Sequence, residues 1–347
     1  MNKIKTALVG FGSVGEKMHA PLISVCKDLE LVAVVERSQE KSKGKYPQVQ
    51  IFKTFEALLA SDSVDLIVIV TPNEFHFEQA KTALEHGKHV VVDKPVTLNS
   101  AQAIELDNLA KERNLVLSVF QNRRWDGDFR TIQKLLKEKT LGQIVHFESH
   151  FDRFRPNIVD NWREKDVPGN GITYDLGTHL VDQTILLLGK PKWVYAEILK
   201  QRKGAMADDF FDITLMYEGI KARVTASVMM NAVLPKFLVL GDKGSYSKYG
   251  LDVQEKAFKA GQLPEGEDWG MEQPEAWGTL FLEEETVPMP TERGDYRYFY
   301  QNVADAISKG SPLSVKMEEA ILVLKILEAA FLSNTAGRRV SQEEMNW

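Results

Sequence analysis

Gly10-Phe11-Gly12-Ser13-Val14-Gly15 constrains the fold of this 347-residue chain more than any other feature. The glycines read G-x-G-x-x-G, directly after the apolar run Ile4 to Val9 and directly before a helical pattern. In that setting the first glycine permits a tight turn, the second admits a pyrophosphate against bare backbone, and the third lets helix and strand pack closely. The N–H groups at the helix start then face the anion. A second apolar run, Leu31 to Val35, ends at Glu36, 21 residues after Gly15. A carboxylate there can accept hydrogen bonds from an adenosine ribose.

The pattern continues along the first 120 residues. Strands are expected at Leu66 to Val70, His89 to Val92 and Leu115 to Val119, apolar enough to be covered on both faces. Between them lie helical segments, Glu74 to His86 closed by Gly87, and Ala101 to Arg113 preceded by Asn99 and Ser100 as N-caps. This alternation predicts parallel strands joined by crossover helices. After residue 123 the period changes to two, in Ile144 to Phe151, Trp193 to Leu199, Asp212 to Tyr217 and Ala222 to Val228. Helices are expected near Asp128 to Lys139, Tyr174 to Leu188, Tyr296 to Ser308 and Met317 to Leu332. The expected architecture is α/β, with a dinucleotide-binding domain over 1–122 and an α+β domain over 123–347 built on a large, mostly antiparallel sheet. The last helices are expected to pack back toward the first domain. Leu263 to Glu285, rich in Pro, Gly, Glu and Trp, reads as a surface excursion.

Composition narrows the partners. Lys and Arg number 43 against 49 Asp and Glu, a formal charge of −6, which makes nucleic acid a poor partner. A single cysteine, Cys26, leaves no internal disulfide, and a cytoplasmic protein is expected. The apolar stretch near the N-terminus breaks at Gly10, unlike an export signal. Runs such as Leu66 to Val70 fall far short of the roughly 18 to 20 residues of a membrane helix, so no span is expected.

Three further clusters carry chemistry. Thr71-Pro72-Asn73 follows a strand at the carboxyl edge of the sheet, where open α/β folds bind ligands, although Pro72 and Asn73 equally suit a turn and helix start. In Asp93-Lys94-Pro95 the proline biases Lys94 toward an extended backbone and can aim its ammonium across that edge. In the helix opening at Tyr174, Asp175 and His179 are four apart and share a face, so a carboxylate can orient an imidazole for proton transfer. Asp182 on the same side keeps a metal-dependent hydrolase open as a third reading, though no second histidine supports it and no metal is expected.

Taken in order and at these distances, the glycine loop, Asp-Lys-Pro and Asp-x-x-x-His resemble the Gfo/Idh/MocA oxidoreductases over nearly the whole chain. Val119 to Asp126, Phe151 to Pro156, Trp162-Arg163-Glu164 and Lys248 to Asp252 resemble more narrowly the branch containing NADP-dependent scyllo-inositol dehydrogenase. The resemblance implies an N-terminal Rossmann domain, a C-terminal sheet domain used for homo-oligomers, and hydride transfer between a nicotinamide and a sugar or polyol. Lys94, Asp175 and His179 become the catalytic set, with His179 as acid/base. Gly10 to Gly15, Glu36, Arg37, Thr71, Pro72, Asn73, His76, Lys94 and Gln121 would hold the coenzyme. Asn122, Arg153, Arg155, Trp162 and Tyr296, with Asp175 and His179, would hold the substrate. The commoner Glu-Lys-Pro of the family is Asp-Lys-Pro here, one methylene shorter. Glu36 favours a ribose 2′-hydroxyl while Arg37 can pair with a 2′-phosphate. That balance leans to NAD, with use of NADP as well left open. The competing class is a catalytically silent NAD(P)-binding sensor or scaffold, against which the retained Lys94, Asp175 and His179 count.

Overall fold

The computed structural model describes residues 3–38, 40–159 and 164–347. Its first sheet is built from Ile4–Val9 (β1), Leu29–Val35 (β2), Gln50–Phe52 (β3), Leu66–Ile69 (β4), His89–Asp93 (β5) and Leu117–Phe120 (β6). All five pairings are parallel, in the order β3-β2-β1-β4-β5-β6. Strand β4, in the middle of the sheet, is buried at every residue, as its uninterrupted apolar run requires, and β6 at the sheet's end is buried throughout as well. The connections carry Ala20–Val25 (α1), Lys41–Lys45 (α2), Phe55–Ala60 (α3), His76–Glu85 (α4) and Ser100–Arg113 (α5). Asn99 caps α5 by accepting from Gln102 N at 2.9 Å, and Asn114 ends it in the left-handed region at φ 54°. The strand order reverses between β1 and β4, and the glycine loop leaves β1 at that switch point, where such sheets bind ligands.

The second sheet has nine strands in the order β14-β13-β12-β11-β7-β10-β9-β8-β15. These are Ile144–His150 (β7), Trp193–Leu199 (β8), Phe210–Met216 (β9), Lys221–Ser227 (β10), Phe237–Gly241 (β11), Gly244–Lys248 (β12), Gly278–Leu282 (β13), Thr286–Met289 (β14) and Val340–Ser341 (β15). Only β7 with β10 is parallel among the described pairings, so the sheet is mostly antiparallel. The helices that follow β6 are Gly127–Lys137 (α6), Thr178–Leu188 (α7), Val253–Lys259 (α8), Arg297–Lys309 (α9), Met317–Ala336 (α10) and Gln342–Met345 (α11). One face of the sheet carries the core, where Phe147, Phe211, Ile213, Leu215, Val224 and Val239 meet Phe129, Ile132, Leu180, Ile326 and Leu327. On the alternate positions of β8, Tyr195, Glu197 and Leu199 are exposed.

Two differences from the sequence reading are structural. The stretch taken for a surface excursion contains β13, which with β14 forms the hairpin that extends the sheet past β12. Pro288 and the acidic Glu283-Glu284-Glu285 turn mask it, yet proline is tolerated on an edge strand. The chain also divides into two interleaved compact units rather than at a single boundary. One comprises 1–122, 254–269 and 295–321, the other 123–253, 270–294 and 322–347. Gln254 helps draw its segment into the first unit: its Oε1 accepts from Tyr296 N at 2.9 Å and from the Trp269 indole at 3.1 Å. No helix among the described residues is long and apolar enough to cross a membrane.

Candidate active site

In the first unit the glycines divide the labour. Gly10 takes φ +101°, and a Cβ there would stand 2.8 Å from the carbonyl oxygen of Val70. At Gly15 a Cβ would meet Gly10 O at 2.2 Å, so this residue must be glycine for the helix to lie on the loop. A Cβ on exposed Gly12 would meet nothing within 4 Å. The packing explains two of the three glycines, and the open backbone at the third fits the approach of a pyrophosphate. The helix begins with a π-turn, Gly15–His19, and continues as α1.

Glu36 is engaged elsewhere than the sequence suggested. Its Oε1 accepts from Lys41 N at 2.8 Å, and its Oε2 from Ser42 N at 3.2 Å and Ser42 Oγ at 2.8 Å. The carboxylate therefore caps α2 and is almost fully buried, while Arg37 and Ser38 beside it are exposed. A local spacing rule cannot reveal this competitor for the carboxylate.

Adjacent strands β4, β5 and β6 deliver Thr71, Lys94 and Gln121 to the same carboxyl edge. Thr71, Pro72 and Asn73 are half-buried, with Thr71 Oγ1 donating to Gln79 at 2.7 Å and Asn73 opening a short 3-10 turn. His76 is buried with Nδ1 2.7 Å from Pro95 O and Nε2 2.9 Å from Thr71 O. It braces the two loops, and since a neutral imidazole donates through one nitrogen, only one carbonyl is served at a time. Burial pushes its pKa below the ordinary value, which favours that neutral form. Lys94 is half-buried, and its backbone N–H donates to Asp93 Oδ1 at 2.9 Å. Gln121 is buried, and its Oε1 has no hydrogen-bond partner among the described residues. An orphaned buried oxygen at a ligand edge fits an incoming amide donor. Asn122 is buried, with Nδ2 3.8 Å from Met18 Sδ.

In the second unit the helix bearing Asp175 and His179 opens with a π-turn, Thr173–Gly177, before α7. Such turns recur at functional sites. Asp175 lies half-buried in that turn and His179 is buried in the first turn of α7. The start is held by Asp208, whose Oδ2 accepts from Thr173 N at 2.8 Å and Thr173 Oγ1 at 2.7 Å. Burial raises the Asp208 pKa, with the Thr173 bonds opposing. Sequence reasoning missed Asp208, and its signal was the Asp208-Asp209 pair just before a strand. Asp182 does not extend a metal-ligand row: both its oxygens are taken by the Arg124 guanidinium at 2.6 and 2.8 Å. Among the described residues no group of three His, Cys, Asp or Glu is placed to hold a metal ion.

The expected substrate residues part company. Arg153 is half-buried, its guanidinium 4.7 Å over the Phe151 ring, and Arg155 is exposed. Trp162 lies outside the described residues. Tyr296 has no exposed surface and is stacked on Phe258 at 5.9 Å within the first unit, a core residue in place of the expected substrate contact. An aromatic before a helix carries no sign of which way it turns.

Comparison with known proteins settles the family. The model of the oxidoreductase family's NAD-binding Rossmann fold matches residues 4–121, and that of its C-terminal alpha/beta domain matches residues 133–341. The chain belongs to the Gfo/Idh/MocA oxidoreductase family. It is 42% identical over 329 residues to the uncharacterized oxidoreductase YdgJ of Escherichia coli (strain K12), covering 94% of this chain and 95% of that protein. It is 34% identical over 347 residues to scyllo-inositol 2-dehydrogenase (NADP(+)) IolW of Bacillus subtilis (strain 168), covering 99% and 97%. The solved structure of yvaA from Bacillus subtilis matches with a TM-score of 0.95 at 34% identity, over 98% of each chain. This member of the family is thus an oxidoreductase with an NAD(P)-binding Rossmann domain.

Proposed function

We propose that this Gfo/Idh/MocA oxidoreductase moves hydride between NAD(P) and a secondary alcohol or ketone of an inositol-like polyol or sugar. The observation that carries the reading is the delivery of Lys94 by β5 to the sheet edge that also bears the glycine loop and Gln121. The relative named as an NADP-dependent inositol dehydrogenase, matched over almost the whole chain, supports the substrate class. The nicotinamide, when bound, supplies the hydride acceptor or donor. In oxidation His179 takes the hydroxyl proton, and in reduction it returns it. The Lys94 ammonium stabilises the negative charge that builds on the oxygen. Asp175 orients the imidazole. Arg153 and Asn122 offer hydrogen bonds that select the reacting carbon.

Both coenzymes are accepted, and NADP is preferred. With its carboxylate tied to Lys41 N and Ser42, Glu36 opposes a 2′-phosphate less than its position suggests. Exposed Arg37 and Ser38 supply a guanidinium and a hydroxyl suited to that phosphate.

A coenzyme-linked absorbance screen over inositols, inososes, aldoses and lactones, with NAD(H) and NADP(H) in parallel, tests the function. Turnover of a polyol or its ketone is expected. Coenzyme binding with no turnover across the panel would establish the sensor class instead, and activity abolished by chelator would point to a metal enzyme.

A further inference from the structure

Behind the Asp93-Lys94-Pro95 turn lies a buried chain of polar groups that the proposed chemistry does not use. His19, from the end of the π-turn after the glycine loop, has no exposed surface. Its Nδ1 is 2.6 Å from Tyr300 Oη on α9. Its Nε2 faces Asp93 Oδ1 at 3.8 Å, beyond hydrogen-bond length but within reach of a strong charge–dipole attraction. The same Asp93 Oδ1 accepts the backbone N–H of Lys94 at 2.9 Å. Phe120, its ring centroid 4.2 Å from that of His19, and Phe299 form an aromatic wall around the histidine and tyrosine, while the Asp93 side chain keeps 17% of its surface exposed.

Burial pushes the Tyr300 phenol well above its ordinary pKa, so it stays O–H in its hydrogen bond with Nδ1. A proton on Nε2 of the imidazole is directed at the carboxylate. Burying a carboxylate is costly without partners that stabilise its charge. Around Asp93 these partners are His19 from the π-turn, Lys94 beside it and His76 from α4, with Tyr300 on α9 behind the histidine. Burial works to raise the Asp93 pKa, and His19 leads the groups that outweigh it and hold the carboxyl below its ordinary range.

We infer that His19 and Tyr300 are positioning residues for Lys94, acting through the Asp93 carboxylate. The inference rests on the reading of Lys94 given above. Asp93 grips the peptide from which Lys94 projects, and the imidazole keeps that carboxylate ionised and fixed. Because His19 sits one turn past Gly15, the network also ties the helix that follows the phosphate loop to the lysine. A shift of the lysine by about 1 Å is enough to cost some hundredfold in rate, so a support of this kind has leverage on kcat.

His19→Gln, Tyr300→Phe and Asp93→Asn are compared with wild type and Lys94→Ala, using kcat, its pH profile, NADPH binding and thermal melting. Tyr300→Phe keeps the ring packed against Phe120 and Phe299, so it decides the matter if His19→Gln does not fold. The expected result is a fall of about 10- to 100-fold in kcat for His19→Gln and a smaller fall for Tyr300→Phe, with NADPH affinity unchanged. Without His19 the Asp93 pKa rises, so the acid limb of the kcat profile moves to higher pH in His19→Gln. In Asp93→Asn that limb is lost. The double variant His19→Gln/Tyr300→Phe costs no more than the worse single one, because both break the same chain. Native kcat and a native profile in folded Tyr300→Phe and His19→Gln, beside an inactive Lys94→Ala, would overturn the inference and leave the lysine reading standing. Native kcat in Lys94→Ala would remove the lysine from the mechanism, and the inference with it.

Discussion

Glu36 shows how little a residue's position says about its occupation. The spacing from the glycine loop marked this carboxylate for a ribose, but three donors from the start of α2 hold it. Glu36→Ala should therefore lower stability by on the order of 1 kcal/mol, the cost of losing a helix cap, as read by denaturant melts. Coenzyme choice should respond to its neighbour: Arg37→Ala is expected to lower kcat/KM for NADP relative to NAD by at least about tenfold, or about 1.4 kcal/mol. Parallel kinetics with both coenzymes check this, and an unchanged ratio would show that Arg37 does not face the 2′ position. For the proposed chemistry, Lys94→Ala should cost about 10²- to 10³-fold in kcat and His179→Ala about 10²- to 10⁴-fold, each with coenzyme affinity largely kept.

At the scale of elements, the helix carrying Asp175 and His179 depends on its anchor. Asp208→Ala removes the acceptor for two Thr173 donors, and a loss of about 1 to 2 kcal/mol together with a reduced kcat is expected. Full activity in that variant would mean that the π-turn is held by other contacts. Strand β7 makes a prediction about pH. On one face, His146 Nε2 lies 2.9 Å from Glu148, and His150 lies 3.4 Å from Glu148 and 3.2 Å from Asp152. Burial lowers the His150 pKa, but Asp152 and Glu148 outweigh it and leave it raised. For Glu148 burial acts upward, and the two histidines bring its pKa below the ordinary value. A raised histidine contributes fully below its ordinary 6.5 and loses that contribution as pH rises through its folded value. The lowered glutamate contributes fully above its ordinary 4.5 and loses it as pH falls through its folded value. The ladder is thus worth most between these limits. The wild-type Tm should fall faster above pH 6.5 than that of His150→Gln, and parallel slopes in the two proteins would show that the ladder adds nothing.

For the whole molecule, the second sheet poses the main question. Helices cover one face, while the other presents Tyr195, Glu197 and Leu199 beside the Asp212–Arg223 ion pair. Apolar and charged groups mixed on a broad sheet face suit a self-complementary contact between two copies. Light scattering should give at least twice the 39.2 kDa of one chain, and Tyr195→Lys with Leu199→Lys should lower that mass. A wild-type mass of one chain at working concentration would overturn the homo-oligomer.

The parallel sheet apart from β3, strands β7 to β10 of the second sheet, the glycine loop, the placement of Lys94 on a strand end and of His179 on a helix were legible in the residues themselves. Each is written locally, in side-chain period, caps and the sterics of a missing Cβ, and needs no knowledge of distant neighbours. Short strands such as β3 and the β13–β14 hairpin escaped, because a few residues broken by proline and glutamate carry too little periodicity. Only the tertiary structure turned Glu36 toward Ser42, set Arg124 on Asp182, buried Tyr296, braced α7 with Asp208 and returned residues 254–269 to the first unit. The reason is that a carboxylate, an imidazole or a phenol is satisfied by whichever partner the fold brings within about 3 Å, and the period of a strand or helix does not record which partner that will be.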